Sequence, residues 1–302
     1  MIVKTLAILG PTACGKTALS IELALTHNAH ILSLDSLSIY KEIDIASAKP
    51  SLQERRDILH FGIDVIAPNE HFDVTMFFDL YQQAKNACMQ ENKNLIIVGG
   101  TGFYLKMMMD GLSHKPFLSL HVKQKIATCL QNLPKAYQLI QDHDKLYAQK
   151  IASNDRYRIE KWLEIFLASH QIPSQYLSSH KNQPILDNID LFEIETPKED
   201  LKIRIEKRTK AMLKEGLVDE VFGLEKKYTR APHCMSAIGI KEVLDYFDGK
   251  FKLPMLEEKI AIHTTQLAKR QRTFNTSQFP EHPKKELCEL KKLIENSLHI
   301  ST

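Results

Sequence analysis

Three things are missing from this chain of 302 residues. No apolar run approaches the ~20 residues that a membrane-spanning helix needs, so no membrane partner is expected. The five cysteines (Cys14, Cys88, Cys129, Cys234 and Cys288) contain no C-x-x-C pair. Their scatter argues against a zinc site or a disulfide framework and favours a reducing, cytoplasmic compartment. There is also no internal repeat or low-complexity tract. Charge of one sign is scarce as well, with a net of +3, divided as −2 over residues 1–115, +2 over 116–190 and +3 over 191–302. Such a balance suits a solvated surface as well as a polyanionic partner on the later segments. A secretory leader is not expected, because the short apolar N-terminus runs straight into a glycine loop that cleavage would destroy.

That loop is the strongest signal present. Gly10-Pro11-Thr12-Ala13-Cys14-Gly15-Lys16-Thr17 matches G-x-x-x-x-G-K-[ST] in full. The apolar run Leu6–Leu9 before it reads as a buried strand, and Ala18–Leu25 after it carries helical spacing. Strand, glycine turn and helix start together form a cradle in which backbone N–H groups point at a phosphate. Lys16 is expected to reach the outer phosphates, and the Thr17 hydroxyl a Mg²⁺ ion. The motif alone does not say what carries the phosphates. Cys14 is either a small filler or a thiol activated by the helix start.

Further strands are predicted at Ile31–Leu34, Ile63–Ile66, Leu95–Val98 and Asp190–Ile194, with an amphipathic helix over Asp73–Glu91. Asp35 follows a strand, where parallel sheets line their ligand crevice. Its spacing leaves three roles open: a carboxylate supporting Mg²⁺, a general base, or a cap for the next turn. Tyr40–Pro50 reads as a loop. Gly99-Gly100-Thr101-Gly102 follows the third long strand, where many phosphate-loop ATPases keep an aspartate, so an ATPase is disfavoured. Residues 116–187 lack a clear strand and read as helices around Leu120–Leu130, Pro134–Asp142 and Arg156–Ser169. Arg204 and Arg208 lie four apart on a helix that Gly216 ends, spaced either to clamp a diphosphate or to pair with Asp200 or Glu206. A last strong helix, Leu256–Thr273, carries Lys259, His263, Gln266 and Arg270 on one polar face. The expected fold is α/β: a parallel-sheet core flanked by helices over 1–115 and 188–302, with a mostly helical insertion over 116–187.

Taken in order, these segments resemble the tRNA dimethylallyltransferase family over nearly the whole chain. The resemblance is carried by the glycine loop, Asp35-Ser36 with Tyr40 and Asp44-Ile45, Ala48-Lys49-Pro50, and Val98-Gly99-Gly100-Thr101. It continues through Asn154-Asp155 with Arg158 and Lys161, Arg204 and Arg208, Ile238-Gly239 with Lys241-Glu242, and Gln266–Gln271. The sequence departs from the family pattern at Ser38, where Gln is common, and at Ile240, Lys161, Thr265 and Phe274.

The resemblance implies dimethylallyl diphosphate as donor and N6 of a tRNA adenosine as acceptor. Gly10–Thr17 and Arg208 would hold the diphosphate with Mg²⁺ on Thr17, Asp35 would act as general base, and Thr101 and Arg208 would serve the reacting centre. Asp35, Ser36, Leu37, Ser38 and Thr101 would meet the flipped base. Lys123, Tyr157, Arg158, Ile159, Glu160, Lys161, Lys241 and Arg270 would hold the anticodon stem-loop. The chain is expected to act as a monomer. A kinase using 116–187 as a basic lid is the competing reading, which the mild basicity of that segment disfavours. A non-catalytic RNA-binding protein is the third.

Overall fold

The computed structural model describes residues 3–113, 116–180, 183–186 and 189–299. The chain divides into two compact units, residues 1–107 with 186–302, and residues 108–185.

The larger unit is a parallel sheet between helices. Its first half runs β1 (Thr5–Leu9), α1 (Lys16–Thr26), β2 (Ala29–Ser33), α2 (Leu52–Arg55), β3 (His60–Phe61), α3 (Val74–Glu91) and β4 (Asn94–Val98). α4 (Gly102–Asp110) leads into the smaller unit, which holds α5 (Leu120–Cys129), α6 (Leu133–His143), α7 (Lys145–Ala148), α8 (Arg156–Ser169) and α9 (Pro173–Ser179). The larger unit resumes with β5 (Asp190–Ile194), α10 (Lys198–Glu215), α11 (Leu217–Tyr228), a 3₁₀ turn at His233–Ser236, α12 (Ile240–Phe247), α13 (Leu253–Gln278), β6 (Lys284–Lys285) and α14 (Leu287–His299). Among the described residues the strand order is β3-β2-β4-β1-β5-β6, with every pairing parallel.

The central strands are mostly apolar because both faces of a parallel sheet are covered. Leu6, Ile8, Ile31, Ile96, Phe192 and Ile194 join Leu19 and Leu23 of α1, Leu201 and Ile205 of α10 and Leu290 and Ile294 of α14 in one core. Burying a side chain of this size contributes about 1.5–3 kcal/mol, so this cluster fixes the sheet edge on which the loops sit. α3 is capped by Asp73, whose carboxylate accepts from Thr75 N at 2.8 Å, and packs on β2 and β4.

Two sequence expectations need correction. The strand that joins the sheet is His60–Phe61; Ile63–Ile66, expected as an edge or connecting strand, instead hydrogen-bonds along 38–41, with a single bridge between Ile66 and Tyr40. Gly62, at φ +79°, turns the chain away after β3, where a Cβ would strike the Ser33 carbonyl. Further, α2, α7, α9, α11 and β6 are present where no element is predicted. No helix among the described residues is long and apolar enough to cross a membrane.

The smaller unit has its own core of Ile126, Leu130, Ile140, Ile159, Trp162 and Leu163. The buried Asp144 organises it, accepting from Trp162 Nε1 at 3.1 Å, Ser174 N at 3.0 Å and Tyr147 N at 3.2 Å.

Candidate active site

Residues 10–17 form a tight arch between β1 and α1. Gly10 and Gly15 adopt φ +145° and +103°, a region that favours glycine. At Gly10 a Cβ would also lie 2.8 Å from Cys14 Sγ and 3.2 Å from the Ile194 carbonyl oxygen. Lys16 sits beneath the arch, 9 % exposed, its ammonium donating to Gly10 O at 2.8 Å and Pro11 O at 2.7 Å. Cys14 is fully buried in the sheet core. Its side chain is a filler, because an enclosed thiol is out of reach of oxidants and alkylating agents.

Both arginines of α10 turn toward this arch. Arg204 Nη1 donates to Cys14 O at 3.2 Å, and Arg208 Nη1 donates to Thr12 Oγ1 at 3.2 Å. The alternative, pairing with Asp200 or Glu206, is not what they do; Glu206 instead faces Lys202 at 4.0 Å. Burial holds the Arg208 pKa below its ordinary value, and the negative charge of Asp35 only partly offsets this. Arg208 therefore lies within electrostatic reach of both the loop and Asp35.

Asp35 follows β2. Its Oδ1 accepts from Leu37 N at 2.8 Å and Ser38 N at 3.1 Å, so the turn-capping role is real. Both bonds use the same carboxylate oxygen. Asp35 and Ser38 line the cavity described below, and Ser36 and Leu37 occupy the turn between them.

Gly99 and Gly100 close the cavity from the end of β4, followed by Thr101 at the start of α4. A Cβ on Gly99 would lie 2.6 Å from the Leu34 carbonyl carbon, which is backbone and cannot give way. Gln271 of α13 joins the two loops, accepting from Thr12 N at 2.8 Å and donating to Gly100 O at 2.9 Å.

The segment 40–66 is more ordered than a connector. Lys49, its side chain 4 % exposed, bonds Asp44 Oδ1 at 2.6 Å, Tyr40 O at 3.1 Å and the Asp64 carboxylate. Burial pushes the Asp64 carboxyl up, but Lys49 and Arg55 together hold it below its ordinary value. Glu220 of α11 accepts from three successive N–H groups, Asp44 at 2.8 Å, Ile45 at 2.7 Å and Ala46 at 2.9 Å. Sequence reasoning missed Glu220. The spacing of Leu217, Val221 and Leu224 could have revealed its helix, but nothing local points to a partner 175 residues away.

The loop, Asp35, the 40–66 segment and α10 enclose one cavity of about 1900 Å³. Small-molecule sites are typically ~300–1,000 Å³, so there is room for two reactants. Among the described residues no group of three or more His, Cys, Asp and Glu side chains could hold a metal by itself. A Mg²⁺ ion nevertheless fits the Thr17 hydroxyl that lines this cavity, because Mg²⁺ completes its shell with phosphate oxygens and water.

Other predicted residues divide by exposure. In the smaller unit Lys123, Tyr157 and Arg158 are exposed, and Glu160 and Lys161 are half-buried. Lys161 pairs with Glu164 at 2.5 Å and lies 5.6 Å from the centre of the Tyr157 ring. Arg158 pairs with Asp155 at 3.4 Å. Ile159 is a correction: it is fully buried beside Trp162 and Leu163, so its side chain is core and cannot touch RNA. In the larger unit Lys241 and Arg270 are exposed. His263 on the same helix as Arg270 is engaged by Glu242 at 2.5 Å, and Glu242 also caps α12 through Gly239 N at 2.6 Å.

Ligands of open parallel sheets bind outside the carboxyl ends of the strands, and here the glycine loop, Asp35 and Gly99-Gly100 all follow such ends. The fold thus defines an α/β enzyme working at that sheet edge. A family model described as IPP transferase matches residues 38–278. The chain belongs to this family. It is 50% identical over 293 residues to the tRNA dimethylallyltransferase of Sulfurovum sp. (strain NBC37-1), covering 97% of each protein. It is 46% identical over 270 residues to that of Campylobacter jejuni (strain RM1221), covering 89% of this chain and 90% of the relative. Among solved structures, the tRNA delta(2)-isopentenylpyrophosphate transferase of Staphylococcus epidermidis aligns over the whole of both chains, with a TM-score of 0.69 and 29% identity. A eukaryotic dimethylallyltransferase acting on tRNA aligns with a TM-score of 0.74 and 26% identity, over 90% of this chain and 70% of its own.

Proposed function

We propose that this enzyme transfers the dimethylallyl group of dimethylallyl diphosphate to N6 of adenosine 37, beside the tRNA anticodon, releasing diphosphate. The observation that carries the reading is Arg208, which bonds the glycine loop and lines the same cavity as Asp35. It couples a leaving-group cradle to a carboxylate across one cavity.

The loop N–H groups, Lys16 and Arg208 bind the diphosphate and stabilise the charge that grows on it as the C–O bond breaks. Mg²⁺ on Thr17, when bound, neutralises part of that charge. The adenine amino group is a poor nucleophile because its lone pair is delocalised into the ring. As the new C–N bond forms, Asp35 takes the N6 proton through the oxygen that does not cap the turn. Thr101 hydrogen-bonds beside the reacting atoms. The adenine leaves its stack to reach the cavity, at an energetic cost of a few kcal/mol from a single-stranded loop. Ser36, Leu37 and Ser38 follow Asp35 where the base arrives. Lys123, Arg158 and Lys161 of the smaller unit grip the stem-loop backbone, and Tyr157, Glu160, Lys241 and Arg270 contact the same tRNA. A single chain suffices for this chemistry.

The test combines purified protein, Mg²⁺, unmodified tRNA and labelled dimethylallyl diphosphate, with ATP as a competing donor. Label in the tRNA, lost in Asp35→Asn, is the expected result. Phosphoryl transfer from ATP to a small acceptor, with no tRNA labelling, would replace this reading with the kinase.

A further inference from the structure

We propose that Gln271 is a positioning residue that sets the spacing between the two loops of the reacting centre. This rests on the reading above, in which the glycine loop holds the donor and Thr101 serves the reacting atoms. The Gln271 carboxamide lies between them, with Oε1 on Thr12 N at 2.8 Å and Nε2 on Gly100 O at 2.9 Å. Thr101 is the next residue, so the bond to Gly100 fixes the backbone that aims the Thr101 hydroxyl. Thr12 is held from the other side by Arg208 at 3.2 Å.

The helix that carries Gln271 is anchored independently of both loops. Arg272 donates to the Thr196 carbonyl, Asn275 donates to Glu193 Oε1 at 2.8 Å, and Ala268 is 2 % exposed in the core. Gln271 therefore extends from a fixed support. The chemistry demands an amide, because one loop offers an N–H and the other a C=O. Glutamate has no donor at neutral pH, lysine has no acceptor, and methionine has neither strong group. Gly100 completes the arrangement, since a Cβ there would run into Gln271 Nε2. The glycine makes room for the amide, and the amide fixes the glycine.

The experiment is a double-mutant cycle on the full chain, using Gln271→Met, Thr101→Ala and both together. It measures kcat at saturating substrates, the affinity for inorganic pyrophosphate with Mg²⁺ by calorimetry, and the thermal midpoint. A misplacement of about 1 Å in a reacting centre lowers the rate ~100-fold. Gln271→Met is expected to lower kcat about 10- to 100-fold with a nearly unchanged thermal midpoint. In the Thr101→Ala background the same substitution should change kcat by no more than about 2- to 3-fold. Gly100→Ala should reproduce the loss. Gln271→Glu keeps the acceptor but sets a negative charge beside the diphosphate, and should weaken pyrophosphate about tenfold. Unchanged kcat in Gln271→Met overturns the proposal, as does full additivity with a Thr101→Ala substitution that itself lowers kcat, or a fall in kcat matched by a fall in stability. Full activity in Thr101→Ala removes Thr101's role instead. The spacing proposal then stands only if Gln271→Met and Gly100→Ala still lower kcat alike, and falls if they do not.

Discussion

The arch at 10–17 and the segment at 35–66 face the same cavity, but they are built differently. The arch consists of eight neighbours in sequence, its shape set by two left-handed glycines and a lysine bonded to its own carbonyls. The segment opposite has few regular elements. It is held by a buried lysine, an aspartate capping its own turn, and a glutamate reaching in from α11. A binder of diphosphate can be made from backbone, since phosphate asks only for N–H groups and positive charge. A wall that meets a base, the role proposed for the segment, needs a particular side-chain arrangement, and long-range partners hold it in place.

Substitutions that separate the two walls sharpen this contrast. The largest expected effect is on chemistry. Asp35→Asn should lower kcat by about 10²–10⁴-fold, the usual contribution of a general base, while pyrophosphate affinity measured by calorimetry stays near wild type. Lys16→Ala should reverse the pattern, losing pyrophosphate affinity first. If both variants lose affinity equally, Asp35 belongs to the metal and the division between walls fails.

Next is Lys49→Met, which strips the segment of its internal cation. Asp64 and Asp44 keep solvent access, so the expected loss is about 1–3 kcal/mol rather than that of a fully buried pair, read by urea unfolding. Glu220→Ala should cost a similar ~1–3 kcal/mol by leaving three N–H donors without a partner. Its sharper readout is a raised KM for tRNA with the donor KM unchanged. A change in the donor KM alone would place Glu220 with the wrong wall.

The smallest effect concerns pH. Burial pushes the Glu193 carboxyl up, but His282, Asn275 and Lys284 outweigh it and hold it below its ordinary value. Its contribution to stability is present above the usual carboxylate pKa and lost as pH falls through the folded value. His282 is raised above 6.5, chiefly by its hydrogen bond to Glu193. Its contribution is full below 6.5 and lost as pH rises through the folded value. The stability difference between wild type and His282→Gln should therefore be largest in the window between the two transitions, at about 1 kcal/mol. Thermal unfolding across pH 4–9 reads this, and a flat difference would remove the charged pair from the account.

The arch, the strands around it and most long helices were legible because their signals are local: a fixed glycine spacing, apolar runs and helical periodicity. Arg208 was legible as a candidate from its spacing with Arg204, but its target was not. The short elements were not legible, as four-residue helices such as Leu52–Arg55 carry too little periodicity. Ile63–Ile66 misled because its apolar pattern does not say which neighbour it pairs with: it bonds along the loop at 38–41 and not to a strand of the sheet. Ile159 misled for a related reason: it lies within a charged motif, yet the helix turns it inward. Glu220 and Gln271 act through backbone atoms of distant loops, and no spacing rule encodes such a contact.

The ammonium under the arch has a consequence for turnover. A lysine has three donors, and Lys16 commits two to the carbonyls of Gly10 and Pro11, with Cys14 Sγ, a weak acceptor, at 3.8 Å. In the proposed reaction an arriving phosphate oxygen competes for that third donor. In that reaction, departure of the diphosphate leaves the cation with the two carbonyls it bonds here. The arch therefore keeps its shape between one donor and the next, and emptying the site does not leave a bare charge to collapse upon.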